Sequence, residues 1–289
     1  MSDAIPNGAD AGNPNSPQIA FWNSPTTRAW VTLQARMDEL FAGLTEVALD
    51  HAAPRPGETV LDIGCGCGDT VLRLAERVGP AGHVLGVDVS EPMLARAQQR
   101  VTEAGYGQAR LRLADVSAAN LGTGVFDLAF SRFGVMFFFN PVEAFTNLRH
   151  ALKPSGRLVF ACFRPMAENT WVTVPQAAGL GLFPPAPPPG PEDPGQFAFG
   201  DPARVRRILE GAGFRDLTFT PHNPAMRLGD TAAQAAAIST QIGAYARALA
   251  EAPEQLPALM AALTAAYAAH EGPEGVVLPG AIWLVSARA

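Results

Sequence analysis

The chain has 289 residues, is 48% hydrophobic and carries a formal net charge of −6. That length suits one large α/β domain with a substantial cap, whose core needs neither disulfides nor metals. Only 17% of residues are charged, and the densest basic cluster (Arg204, Arg206, Arg207) alternates with Val205 and Ile208 as the solvated face of a helix, so no nucleic-acid partner is expected.

Three cysteines do not make a disulfide framework. Cys65 and Cys67 form C-x-C rather than C-x-x-C, and no second pair or suitably spaced histidine completes a zinc set, so no metal is expected. Met1 to Pro17 lacks a basic segment followed by an apolar run and does not read as a signal peptide. No stretch approaches the ~20 apolar residues of a membrane span. A cytoplasmic protein is the expectation.

Taken in order, residues 1–17 are expected to be disordered, and 18–54 to form an N-terminal helical lid. Within the lid, Trp30, Leu33, Met37, Leu40, Phe41, Leu44 and Val47 recur at helical spacing, predicting a helix over 26–50. Pro54 to Gly57 breaks it. Residues 55–165 then alternate strand and helix. Strands are expected at 58–63, 84–89, 110–114, 126–131 and 157–163. Helices are expected at 69–78, from the Ser90 cap to about 104, and at 141–152. This alternation implies a parallel sheet covered on both faces, with its ligand at the carboxyl ends of the strands. Residues 166–200 read as a proline-rich cap insertion, with seven prolines in the eleven residues 184–194. Residues 201–289 return to the core: a helix at 202–211, a strand at 214–220, an alanine-rich insertion at 228–270 with two helices, and a closing strand or hairpin at 275–287.

The decisive segment runs from Val60 to Thr70. A buried strand meets Asp62, then Gly64, Gly66 and Gly68 alternate, then a helix begins. Glycines let a backbone turn tightly and approach a ligand without a Cβ in the way. A dinucleotide loop wants G-x-G-x-x-G with pyrophosphate on the helix N-terminus. Here Asp69 stands where the last glycine belongs, and carboxylates at 62 and 69 repel pyrophosphate. A cofactor carrying a sulfonium and an ammonium suits them.

Residues 62–68 resemble the first motif, D-x-G-x-G-x-G, of the class I S-adenosylmethionine-dependent methyltransferases. The likeness continues through Gly86 to Leu94, Leu113 to Val116, Phe126 to Phe133, and Leu152 to Phe160, where Ser155 departs from the usual L-K-P-G-G. It covers about residues 55–165 and is nearest the small-molecule branch related to quinone-biosynthesis enzymes. The resemblance implies a Rossmann-like seven-stranded α/β sheet, mostly parallel with the last strand antiparallel, an N-terminal helical lid and an inserted helical cap.

It also implies S-adenosyl-L-methionine as cofactor, S-adenosyl-L-homocysteine as product, and a small-molecule acceptor. Asp88 would accept from both ribose hydroxyls. Val89 and Met93 would sandwich the adenine, Met being polarizable. Asp115 would accept from the adenine amine, beside the Val116 N–H. Gly64, Cys65, Gly66 and Gly68 would line the methionine part, with Cys65 a small filler. Asp62 would hold the loop or a water near the ammonium group. Ser131, in the fourth motif, joins this cofactor set.

Methyl transfer needs alignment and desolvation more than acid–base chemistry, and no catalytic residue stands out. On the acceptor side the candidates are Trp22 and Trp30 in the lid, Phe133 after the fourth strand, and His222 after the sixth. Phe137, Phe138 and Phe139 either border a pocket or pack a helix. Two rival readings are an NAD(P)-dependent oxidoreductase, disfavoured by the missing glycine and the absent Tyr-x-x-x-Lys pair, and a non-catalytic scaffold, which has no need of the intact motifs.

Overall fold

The computed structural model describes residues 13–185 and 188–289. Most of the segment expected to be disordered, up to residue 12, lies outside them. Asn13 to Pro17 lies inside, and helix α1 (Ser16–Trp22) begins there.

Seven strands form the main sheet. They are β1 (Thr59–Ile63), β2 (His83–Asp88), β3 (Ala109–Leu113), β4 (Phe126–Arg132), β5 (Leu152–Phe163), β6 (Arg215–His222) and the last strand, β10 (Ile282–Arg288). Their order is β3-β2-β1-β4-β5-β10-β6. The first five run parallel, while β10 is antiparallel to both β5 and β6. This is the Rossmann-like sheet expected, antiparallel strand included. The strand order reverses between β1 and β4, so the ligand crevice lies above their carboxyl ends.

The elements begin and end where sequence chemistry directs. Helix α4 (Asp69–Val78) stops at Gly79, whose φ is +68°. Helix α5 (Glu91–Ala104) has Pro92 in its first turn and ends at left-handed Gly105. The Asn140 side chain accepts from Glu143 N at the start of α6 (Pro141–Ala151), and Asp201 does the same for Ala203 at the start of α8 (Pro202–Gly211).

Three expectations change. The predicted lid helix is broken: a 3₁₀ turn at Pro25–Thr27, α2 (Ala29–Thr32), then α3 (Gln34–Ala52). Leu33 leaves helical geometry, with φ −100° and ψ 16°. The alanine-rich insertion has three helices, α9 (Ala232–Ser239), α10 (Ala244–Glu251) and α11 (Leu256–Ala268). Gly243 separates the first two at φ 75° and ψ −140°, a conformation that glycine alone adopts readily. Finally, of the strand or hairpin expected at the close, the strand is found as β10, and the residues before it belong to another sheet. β9 (Gly275–Pro279) leaves the main sheet and pairs with β7 (Ala225–Gly229) and β8 (Glu271–Gly272). The cap is therefore not purely helical. It contains this small antiparallel sheet beside α7 (Thr170–Ala178) and α11.

Helix α3 anchors the lid to the core. Met37, Phe41, Leu44, Ala48, Leu49 and Ala52 are buried along one face, and each full Leu or Phe burial stabilises by roughly 1.5–3 kcal/mol. By contrast, α1 and α10 have no buried residue.

Candidate active site

The glycine loop joins β1 to α4. Gly64, Gly66 and Gly68 have φ of +67°, +54° and +88°. They are glycines for two different reasons. A Cβ on Gly64 would meet Gly134 Cα at 2.7 Å, and one on Gly68 would meet Ala97 Cβ at 2.9 Å. A Cβ on Gly66 meets nothing within 4 Å. The first and third glycines are required by packing, and the middle one faces open space at the loop crest. Cys65 between them is buried, and burial holds its thiol well above the usual range.

Three carboxylates surround the loop. Asp88, at the end of β2, accepts from Gly66 N at 2.7 Å and Ser90 N at 2.8 Å. Burial pushes it up, and these backbone N–H groups pull it down. Asp62 is fully buried and accepts from the Thr70 hydroxyl through one oxygen. Its other oxygen has no partner in the structure. Burial raises its pKa to about 7. Asp115 accepts from Ser117 N at 3.0 Å and from Asn13 Nδ2 at 3.1 Å. Val116 and Met93 are buried, and Val89 is half-buried.

The lid is sewn onto the β2–α5 turn. Asn23 donates to Val89 O at 2.8 Å and accepts from Glu91 N at 3.0 Å, and the Ser90 hydroxyl donates to Trp22 O at 2.9 Å. Ser90 thus precedes α5 as expected, but its side chain serves the lid and makes no cap bond. Cys67 Sγ lies 3.6 Å from Trp30 O, tying α2 to the loop.

The aromatic candidates fall into two clusters flanking the loop after β4. Trp22 meets Phe137 at 5.0 Å and Trp30 at 6.1 Å between centroids. Phe133 stacks on Phe163 at 4.1 Å and 7°, and touches Phe41 at 5.5 Å. Phe133 has φ +66°, uncommon for an aromatic residue and strained by about 1–2 kcal/mol. Gly134 between the clusters is the residue that closes on Gly64. Phe138 faces inward against Phe145, and Phe139 is exposed.

Two further candidates stand at strand ends. Ser131 is fully buried; its hydroxyl donates to Ile63 O at 2.8 Å and accepts from Gly134 N at 3.1 Å. These two bonds tie the end of β4 to the glycine loop and to the turn at Gly134. His222 shares Ile282 as register partner with Phe163, which puts it two strands, about 10 Å, beyond that ring. The structure does not bring it to the loop. Among the described residues, no cluster of His, Cys, Asp and Glu suited to a metal is found, and no helix is long and apolar enough to cross a membrane.

A methyltransferase-domain family profile matches residues 54–178, the segment that builds this crevice. The chain belongs to the class I S-adenosylmethionine-dependent methyltransferase superfamily. It is 31% identical over 184 residues to nocamycin O-methyltransferase of Saccharothrix syringae, covering 61% of this chain and 66% of that protein. It is 35% identical over 149 residues to 2-phytyl-1,4-naphtoquinone methyltransferase of Trichormus variabilis, covering 47% and 65%. These alignments therefore span no more than about two thirds of either relative's length. A solved geranyl diphosphate methyltransferase bound to its diphosphate and sinefungin shares the fold at TM-score 0.51 and 17% identity, over 100% of this chain and 88% of that one.

Within this methyltransferase fold, one buried ion cluster escaped sequence reading. Arg132 Nη1 donates to Asp69 Oδ2 and to the Thr45 hydroxyl, each at 2.6 Å, and Arg73 donates to Asp69 Oδ1 at 2.9 Å. Despite burial, the two arginines hold Asp69 below the usual carboxylate range. Asp69 is thus neutralised, so its repulsion of a pyrophosphate is weaker than the sequence suggests. Asp62 and Asp88 remain without a cationic hydrogen-bond partner. Arg132→Leu should destabilise the protein by ~3 kcal/mol in urea unfolding, because a buried carboxylate loses its principal partner. A loss below ~1 kcal/mol would mean that Arg73 alone suffices.

Proposed function

We propose that this chain transfers the methyl group of S-adenosylmethionine to a small-molecule acceptor. The observation that carries the reading is the glycine crest beside fully buried Asp62 and half-buried Asp88, neither of which is hydrogen-bonded to a basic side chain. Such a loop suits a cofactor with a cationic amino-acid end. An NAD(P)-dependent reading would place pyrophosphate against the same carboxylates.

Asp88 accepts from the ribose hydroxyls with the lone pairs left beside its two backbone bonds. Met93 and Val89 hold the adenine faces. Asp115 and Val116 would meet its polar edge, where Asn13 donates to one Asp115 oxygen and Ser117 N to the other. The free oxygen of Asp62 faces the need for an ammonium partner, directly or through water. When bound, the cofactor supplies a methyl carbon already activated by the adjacent sulfonium. The chain's residues align the acceptor and exclude water through the lid and the two aromatic clusters. The two relatives are named for nocamycin and 2-phytyl-1,4-naphtoquinone, both small molecules, which supports the same class here.

An expected pH dependence follows from Asp62. Its folded pKa, about 7, lies above its ordinary value. Between the two values the folded protein holds more proton than the unfolded chain, so the free protein loses stability as pH rises through that window. A bound ammonium favours the carboxylate. Binding of S-adenosylhomocysteine should therefore release about one proton near pH 6 and tighten as pH rises toward 8. Calorimetry in buffers of different ionisation heat reads the proton, and Asp62→Asn should remove it. Proton uptake, or the same release in Asp62→Asn, contradicts the assignment.

Transfer itself is tested with methyl-labelled cofactor and a panel of quinols, phenols and polyketides. Label in an organic-extractable product supports the reading. Label found only in acid-precipitable protein or RNA overturns the small-molecule class.

A further inference from the structure

One of the contacts between lid and cap is a cation–π pair. Helix α1 carries Phe21 and Trp22, half-buried aromatics on a helix with no buried residue. Helix α10 also has no buried residue and follows the glycine break at 243. Between them, the Arg247 guanidinium lies 5.6 Å from the Phe21 ring centroid. Phe21 meets Trp22 edge-on at 5.3 Å, and Trp22 continues to Phe137 beside the β4 loop.

Arg247 differs from the arginine beneath the other aromatic cluster. Arg132 lies 5.4 Å from the Phe41 centroid but is neutralised by Asp69. Among the described residues Arg247 has no ion-pair partner, and it is exposed. A guanidinium resting on Phe21, next to the Trp22–Phe137 pair, can stay there and still offer its N–H fork to an anion. One such fork, with no second cation joined to it, fits a monoanion held by two parallel hydrogen bonds.

We propose that Arg247 is a specificity-determining residue, selecting acceptors that carry a carboxylate on a flat apolar body. The body lies between the Trp22–Phe137 and Phe133–Phe163 clusters, and the carboxylate points outward to Arg247. This rests on the methyltransferase reading only for the location of the acceptor, and the following test separates the two.

The probes are anthracene-2-carboxylate and anthracene-2-carboxamide, near-isosteres that differ in charge. Each is titrated by fluorescence into the full chain with saturating S-adenosylhomocysteine, and again without it. Wild type should prefer the acid by ~10-fold or more, the range of a hydrogen bond to a charged group. Arg247→Gln should erase the preference while leaving amide affinity within ~2-fold, and Arg247→Lys should keep part of it. The preference should also shrink between low and high salt. Equal affinity for acid and amide in wild type overturns the proposal, as does a preference that survives Arg247→Gln or a parallel loss of both ligands. Failure of wild type to bind S-adenosylhomocysteine is read independently by calorimetry. It sinks the cofactor assignment, while the acid–amide ratio still decides the role of Arg247.

Discussion

Asp88→Ala should abolish measurable binding of S-adenosylmethionine while leaving a folded protein. The side chain ends β2 and already orders the site through Gly66 N and Ser90 N. Two further charge-assisted bonds to a ribose contribute about 1.5–3 kcal/mol each, so their loss weakens binding by ~100-fold or more. The variant also leaves two backbone N–H groups without their partner, which costs stability, on the order of 1–3 kcal/mol. Asp88→Asn separates the effects. It keeps an acceptor oxygen but no charge, and should bind ~10-fold weaker than wild type with a smaller loss of stability. Calorimetric titration beside thermal melts reads both. An Asp88→Ala protein that melts normally and binds within ~3-fold of wild type would remove the ribose role.

Gly66→Ala and Gly64→Ala should fail in opposite ways. At position 66 the added methyl meets no protein atom within 4 Å. Its cost is the left-handed backbone, about 1–2 kcal/mol. The protein should fold, melt only a few degrees lower, and bind cofactor at least ~10-fold more weakly, because the methyl occupies the crest where a ligand must approach. At position 64 the methyl strikes Gly134 Cα at 2.7 Å, a backbone atom that cannot swing aside. The same left-handed strain is joined by overpacking, and the variant should lose ~3 kcal/mol or more. Melting and titration of the two proteins side by side test this. A Gly66→Ala variant with wild-type affinity would show that the crest does not face the cofactor.

These contrasts show which parts of the molecule were legible in the sequence. The β1–loop–α4 unit was, because alternating glycines and an apolar run have one common structural solution and Gly79 marks a stop. Helix α8 was legible too, flanked by Asp201 and the Gly211–Gly213 stretch. The break at Leu33 was not. It contains neither glycine nor proline, and depends on long-range ties such as Cys67 to the Trp30 carbonyl. The departure of β9 from the main sheet was hidden for a related reason. Periodicity states that a strand exists, not which partner it pairs with. Here Gly280 N bonds Pro224 O and Arg164 N bonds Ala281 O, so the chain changes sheets between residues 279 and 282.

The site divides the same way. Asp62, Asp88 and Asp115 stand at strand ends that the alternation located. The pairing of Arg132 with Asp69 joins residues 63 positions apart, and Asn13 reaches Asp115 across 102. No local pattern announces such contacts. Ser131 was legible from its motif, but its bonds to Ile63 O and Gly134 N, across separate segments, were not. His222 was drawn by the same strand-end logic, and the sheet order sets it at the far edge, two strands from Phe163.

The central claim is most directly tested by titrating S-adenosylmethionine, S-adenosylhomocysteine and NADH separately into the wild-type protein by calorimetry. The account predicts that both sulfur compounds bind at one site per chain with micromolar affinity, and that NADH does not displace them. Tight binding of NADH, or no binding of either sulfur compound by a protein shown to be folded, would contradict it.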